Sequence, residues 1–356
     1  MAKPRSSLIS LSDTPYYHCI ARCVRRGYLC GFDKLTQKNF DHRKLWLIER
    51  IKFLASVFCI DVAAYAIMSN HYHLVLRVNT DKAKLLTQDE VLKRWHCVCQ
   101  PKPIIARYIK GKALPNSHQF VLDGCVADYR ERLTSISWFM RFLNEFIARQ
   151  ANVEDNCKGH FWEGRFKSQA LLDEVAVLAC MTYVDLNPIR AKMADTPETS
   201  DFTSIQERLG IAPAIPNIEQ ETTQAKQTQV DSKQSNHLNP VRKAELLPFV
   251  KSNQELAPNF KRDASHIPFS LIDYVELVDW TGRQIRQDKR GFIQSNIPSI
   301  VQRLGLTDES WLEFASAIET NFSHSIGQAV QLQHYAKAHQ LKRVKGITKT
   351  KLRLQT

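Results

Sequence analysis

Two histidines that stand two positions apart are the residues whose type and spacing most directly suggest chemistry. His71 and His73 open the segment 71–78, which is otherwise rich in leucine and valine. In an extended strand alternate side chains share one face, so both imidazoles would point one way and Tyr72 the other. Two imidazoles side by side on rigid backbone form half of a metal site. Two half-buried strand histidines would have the same spacing, so the spacing alone leaves both interpretations open.

A tyrosine and an asparagine four positions apart form the second candidate group. A helix is predicted from Asp173, as its N-cap, to about Leu186, because Pro188 cannot continue it. Tyr183 and Asn187 then lie on one face of that helix. A tyrosine hydroxyl can act as a nucleophile if its pKa of about 10 is offset, and an amide oxygen is a hard metal ligand. A packed tyrosine beside an asparagine bonded to its own turn is the structural alternative.

Hydrophobic periodicity and turn signals predict the strands and helices that carry these residues. Ser69 and Asn70 mark a turn, so the histidines would lie at the start of an interior strand that forms a hairpin with its predecessor. The predicted elements are strands at 16–22, 62–68, 71–78 and 169–172, and helices over 41–58, 134–151 and 173–186. The polar, proline-containing segment 81–132 interrupts this order and is interpreted as an insertion.

Composition limits the class of protein. The chain has 356 residues, 44% hydrophobic and 24% charged, which is normal for a soluble protein with a sizeable core. No apolar run reaches the length of about 18 residues that predicts a membrane span, and the first ten residues lack a secretory signal. Nine cysteines without a repeating framework predict reduced thiols and a cytoplasmic protein.

The net charge of +13 predicts a polyanionic partner, of which nucleic acid is the commonest, although a solvated basic surface is the simpler alternative. No acidic residue follows Glu319, whereas basic residues crowd the last twenty positions. Such a tail suits contacts with a phosphate backbone.

Aromatic and basic residue types alternate at Trp162, Arg165 and Lys167, as in sites that bind single-stranded nucleic acid. Arg22, Arg25 and Arg26 form a similar basic group.

Taken as a set, these motifs resemble the single-tyrosine HUH transposases. Within that group they are most similar to the REP-associated tyrosine transposases, which cut and join single-stranded DNA near palindromic repeats. The resemblance covers about residues 10–210, and its matching segments are 17–22, 64–74, 159–168 and 183–191. The segment 13–17 differs from the signature with which family members read a guide tetranucleotide, so no recognised DNA sequence is predicted.

The resemblance implies roles for the two candidate groups. His71, His73 and Asn187 would bind Mg²⁺ or Mn²⁺, and Tyr183 would attack DNA to form a 5′-phosphotyrosine. Single-stranded or hairpin DNA would be the partner, with contacts from Arg22, Arg25, Arg26, Trp162, Arg165, Lys167 and Arg190. A homodimer is one assembly compatible with the resemblance, and the sequence leaves open whether Tyr183 acts in its own chain or in the partner.

The predicted fold class is α+β, with a ferredoxin-like antiparallel sheet in a catalytic domain at 1–210. A linker at 211–242, rich in polar residues and predicted to be disordered, precedes a mostly helical C-terminal domain at 243–356 that ends in the basic tail. Two rival functions remain. One is a DNA-binding protein of this fold that does not cleave, and the other is a metal-dependent hydrolase that activates water.

Overall fold

The computed structural model describes residues 8–24, 29–33, 37–213, 244–250, 266–285, 307–316 and 318–347. The predicted linker lies almost wholly outside these ranges. Arg25, Arg26 and the end of the basic tail at 348–356 also lie outside the described residues.

A five-stranded sheet forms the centre of the fold, in the order β4-β5-β1-β6-β7. Neighbouring strands are antiparallel except for β7, which runs parallel to β6. The strands β2 and β3 pair separately as a short ribbon. In chain order the strands are β1 (Tyr16–Arg22), β2 (Phe32–Asp33), β3 (Lys38–Asn39), β4 (Ile60–Ile67), β5 (His71–Val78), β6 (Lys167–Leu171) and β7 (Ser325–Ile326).

Helices cover both faces of this sheet. Those before β6 are α1 (His42–Val57), α2 (Thr80–Leu85), α3 (Gln88–Trp95), α4 (Pro103–Ile109), α5 (Asn116–Leu133) and α6 (Ile136–Glu154). Those after it are α7 (Glu174–Asp185), α8 (Asn187–Arg190), α9 (Ser204–Arg208), α10 (Leu271–Ile285), α11 (Asp308–Ser316), α12 (Ile318–Asn321) and α13 (Ala329–Ala338).

The succession β1, α1, β4, β5, α6, β6 with the order β4-β5-β1-β6 is a ferredoxin-like arrangement. Strands β1 and β4 are both antiparallel to β5, which lies between them, so α1 crosses over the sheet as in a split βαβ unit. The predicted α+β class and the ferredoxin-like sheet are confirmed. The predicted bounds of β1 and β5 are confirmed, and the other predicted strands and helices differ from the observed bounds by one to three residues at their ends.

The helices α1 and α6 pack on one face of the sheet. Tyr72, Leu74 and Leu76 of β5 point into this core, where Ile51 of α1 and Leu143 of α6 are also buried. The helical segment 81–132 joins the same core through α3, α4 and α5. The segment 81–132 therefore enlarges this layer of the fold.

The opposite face of the sheet is covered by α7. Every residue of α7 after Glu174 is buried, because the sheet covers one side of the helix and the C-terminal helices cover the other. Trp280 of α10 and Trp311 of α11 share a core with Val75 of β5 and with α7. A helix apolar on all sides belongs inside a protein, which matches the composition of this segment.

The division into domains at 1–210 and 243–356 stays a prediction. The described residues add that the C-terminal segment packs directly on α7 and supplies β7, the edge strand of the sheet. This strand was absent from the sequence-based prediction. Within the described part of the chain, no helix combines the length and the apolarity that crossing a bilayer requires.

Candidate functional site

The predicted histidines lie on the face of the sheet that α7 covers. His73 pairs with Ile20 of β1 on one side and with Ala66 of β4 on the other. It is 1% exposed, whereas His71, at the start of β5, is half-buried. The two rings are 4.8 Å apart between centroids. The alternation of β5 thus places both imidazoles on one face, as predicted, and Tyr72 in the opposite core.

The helix α7 begins and ends at signals that are visible in the sequence. The side chain of Asp173 accepts a hydrogen bond from the backbone N–H of Ala176 (2.8 Å) and caps the helix. The helix ends at Asp185, and α8 follows as a single turn with Pro188 near its start. Tyr183 is therefore in the last turn of α7, and Asn187 is the first residue of α8.

The two candidate groups meet across the layer between sheet and helix. Nδ2 of Asn187 donates a hydrogen bond to Nε2 of His73 (3.1 Å), although the two residues are 114 positions apart. The ring of Tyr183 packs edge-on against that of His73, with centroids 5.6 Å apart. Tyr183 is 4% exposed and Asn187 is 9% exposed. The structure thus brings together one strand and one helix end that sequence spacing treats separately.

Two further residues of this cluster have no role in the sequence-based prediction. His18 of β1 is 1% exposed, and its Nε2 lies 2.9 Å from Nδ1 of His73. The two imidazoles are stacked, with centroids 5.2 Å apart. Gln169 of β6 places its Oε1 2.8 Å from Nδ1 of His18. The alternation of side chains along β1 and β6 predicts which face His18 and Gln169 occupy. It identifies them as neighbours of His73 only when the pairing of these strands with β5 is known.

The electrostatics of the cluster favour a neutral His73. Burial lowers the pKa of His73 well below its ordinary value, and the neighbouring His18, His71 and Arg190 lower it further. At neutral pH His73 therefore carries no charge, and one of its nitrogens offers a lone pair. A neutral imidazole is the form that binds a metal ion.

The donor set suits a divalent cation. Two imidazoles and one amide leave coordination positions for phosphate oxygens and water, which Mg²⁺ or Mn²⁺ would require. In the residues that the structure describes, no group of three or more His, Cys, Asp or Glu side chains is arranged to hold a metal ion. Asn187, which is bonded to His73, would supply an amide oxygen as a third protein ligand beside His71 and His73.

A buried carboxylate supports the helix end that carries Tyr183 and Asn187. Asp185 is 0% exposed and accepts hydrogen bonds from Ser204 Oγ (2.5 Å), from the backbone N–H of Ile205 (3.0 Å) and from the Tyr274 hydroxyl (2.5 Å). Burial raises the pKa of Asp185 to about 6, and the bonds from Ser204 and Tyr274 oppose that rise. The C-terminal helix α10 is thereby bonded to the helix that carries the site.

The predicted nucleic-acid contacts divide by position. Arg22, Arg165, Lys167 and Arg190 are exposed. The guanidinium of Arg190 lies 5.0 Å from the ring centroid of Tyr183, so it borders the site. Trp162 is half-buried, and its indole N–H donates to the backbone carbonyl of Asn144 (2.8 Å). Its ring packs on Tyr72, in the core on the far face of the sheet from His73.

Comparisons with known proteins add little beyond this geometry. No family model matches the chain, and no curated protein matches it. One solved structure to which the chain is similar is that of a REP-associated tyrosine transposase bound to a REP hairpin. The identity is 12%, the match covers 60% of this chain and 89% of the other, and the TM-score is 0.34. At that TM-score, the family and the function of this chain have to be argued from its own residues.

Proposed function

We propose that this protein cuts and rejoins single-stranded DNA through a covalent bond to Tyr183. The observation that carries the proposal is the bond between Asn187 and His73, with the ring of Tyr183 packed against the same imidazole. The candidate nucleophile and three candidate ligands, from two distant segments, therefore lie in one cluster. The sequence motifs that resemble HUH transposases point to the same chemistry.

The proposed reaction needs no external energy source. The Tyr183 hydroxyl oxygen attacks the scissile phosphorus, and the bond from phosphorus to the 3′ oxygen breaks. The phenol loses one proton in this step, and the departing 3′ oxygen gains one. The products are a 5′-phosphotyrosine and a free 3′-hydroxyl. Attack by a 3′-hydroxyl on the phosphotyrosine reverses the step and joins strands.

Other residues of the site would bind the metal ion and contact the phosphates of the DNA. His71, His73 and Asn187 would hold a divalent cation, which supplies polarisation of the phosphate and stabilises charge on the leaving oxygen. Arg190, exposed and stacked over Tyr183, would place a positive charge beside the phosphate that approaches the tyrosine. Arg22 and Lys167, exposed on neighbouring strands, would contact the backbone of the DNA.

The test is a covalent-adduct assay. We would incubate the full chain with labelled single-stranded hairpin DNA and Mn²⁺ and resolve the products under denaturing conditions. We expect a protein–DNA band that chelation of the metal abolishes and that Tyr183→Phe lacks. Tyr108→Phe is the matched control, because Tyr108 lies on α4 and bonds Asp89 outside the cluster; it should form the adduct at the wild-type level.

Two results would replace the proposal. Binding of hairpin DNA with neither cleavage nor adduct in the wild type would favour a non-cleaving DNA-binding protein, a reading consistent with the burial of Tyr183. Metal-dependent cleavage that survives Tyr183→Phe without an adduct would favour a hydrolase that activates water.

A further inference from the structure

We propose that His18 and Gln169 are positioning residues that hold His73 in one tautomer, with Nδ1 protonated and Nε2 presenting its lone pair to Asn187. Neither residue has a role in the function proposed above. The inference rests on that function in one respect, because a fixed tautomer of His73 serves the metal site proposed there. The tautomer follows from the hydrogen bonds between two buried, neutral imidazoles.

The chain of bonds begins in the C-terminal segment. Nε2 of Gln169 donates to the backbone carbonyl of Ser323 (2.8 Å), and a carbonyl oxygen can only accept. The amide orientation of Gln169 is therefore set, with Oε1 facing His18. Since Oε1 is an acceptor too, the nitrogen of His18 that lies 2.8 Å from it, Nδ1, must carry the proton.

The second link transfers this constraint to His73. A neutral His18 protonated at Nδ1 has a bare Nε2, which can only accept from Nδ1 of His73 at 2.9 Å. The opposite tautomer of His73 would set two lone pairs against each other. Both rings are 1% exposed, so water cannot compensate for such an unsatisfied contact. His73 is thereby protonated at Nδ1.

At the end of this series of hydrogen bonds, the lone pair on Nε2 of His73 points toward α8. Nε2 of His73 faces Asn187, whose Nδ2 donates to it at 3.1 Å. A histidine that binds a metal ion almost always donates its other N–H to a partner that orients the ring and raises its basicity. His71 shows the same pattern, because its Nδ1 lies 2.6 Å from Oδ1 of Asn70. Both histidines would thus ligate through Nε2.

The tautomer can be measured in the metal-free protein. We would record long-range ¹H–¹⁵N correlation spectra of protein labelled with ¹⁵N-histidine and assign His73 by the signals lost in His73→Gln. In the wild type we expect Nδ1 at the shift of a protonated nitrogen and Nε2 at that of a bare one. His18→Leu removes the acceptor and should abolish this signature.

Binding of Mn²⁺ alone, measured by calorimetry, gives a second readout. We expect His18→Leu and Gln169→Leu to weaken Mn²⁺ binding by about ten- to hundredfold, the usual effect of losing an outer partner of a ligating histidine. His18→Gln should restore the tautomer and most of the affinity, since its amide can accept from His73 and donate to Gln169. His96→Leu is the matched control, because it removes an imidazole that is half-buried outside the site.

An unchanged His73 tautomer with unchanged Mn²⁺ affinity in His18→Leu would overturn the proposal. If that variant fails to fold, the same comparison between Gln169→Leu and the wild type decides it. The outcome is separable from that of the proposed function. The wild-type protein could form no DNA adduct and still show the expected His73 tautomer, with loss of that tautomer in His18→Leu. That result would refute strand transfer and support the role of His18 and Gln169.

Discussion

Replacement of Tyr274 by phenylalanine tests how firmly the C-terminal helices support the helix that carries Tyr183. The Tyr274 hydroxyl is one of the three donors that surround the carboxylate of Asp185, at 2.5 Å. Both residues are 0% exposed, so no water can take the place of the lost donor. Phenylalanine keeps the ring, and the cavity that it leaves is small.

The size of the effect follows from these contacts. A hydrogen bond to a charged group contributes about 1.5–3 kcal/mol to stability. The donors from Ser204 and Ile205 remain, so Asp185 is not left wholly unpaired, which would cost about 3–5 kcal/mol. We therefore expect Tyr274→Phe to lower the free energy of unfolding by about 2 kcal/mol.

Urea denaturation followed by tryptophan fluorescence measures this change, because Trp280 and Trp311 are buried in the same core. Tyr335→Phe is the control: Tyr335 lies on α13 and is 6% exposed, but its hydroxyl is not a donor to Asp185. The control should change stability by less than about 1 kcal/mol. A loss below about 0.5 kcal/mol in Tyr274→Phe, or equal losses in the two variants, would refute the reasoning.

Three further predictions concern the start of α7 and the site itself. Asp173→Ala should destabilise the protein by about 2–4 kcal/mol, since Asp173 caps α7 and also accepts a hydrogen bond from the backbone N–H of Gln328 (2.7 Å). Thermal unfolding measures this loss, and an unchanged midpoint temperature would contradict the prediction. Asn187→Ala should weaken Mn²⁺ binding by roughly tenfold or more in calorimetry, and equal affinity would exclude Asn187 as a ligand. Arg190→Gln should reduce the slope of log K against log salt for single-stranded DNA by about 0.7, as anisotropy titrations would show. An unaltered slope would mean that Arg190 contacts no phosphate.

Local sequence patterns were enough to predict which side chains share a face within each element. The period of two along β5 placed His71 and His73 together and Tyr72 in the opposite core. The helical spacing of four placed Tyr183 and Asn187 on one face, and they lie in the last turn of α7 and at the first residue of α8. These relations depend only on local backbone geometry, which hydrophobic periodicity and cap residues encode over a few turns. The same local signals predicted the separate strands and helices of the sheet domain.

The choice of which elements face each other, and in what register, depends on the assembled fold. The pairing of β1 with β5 sets Ile20 beside His73, and this register brings His18 of the same strand within hydrogen-bond distance of it. The contact of Gln169 with Ser323 links β6 to a residue 154 positions later. No local pattern specifies such partners, because register and long-range packing are settled by the burial of whole faces. The same burial joins the C-terminal helices to α7, and the hydrogen-bond chain through His18 exists only in that assembled core.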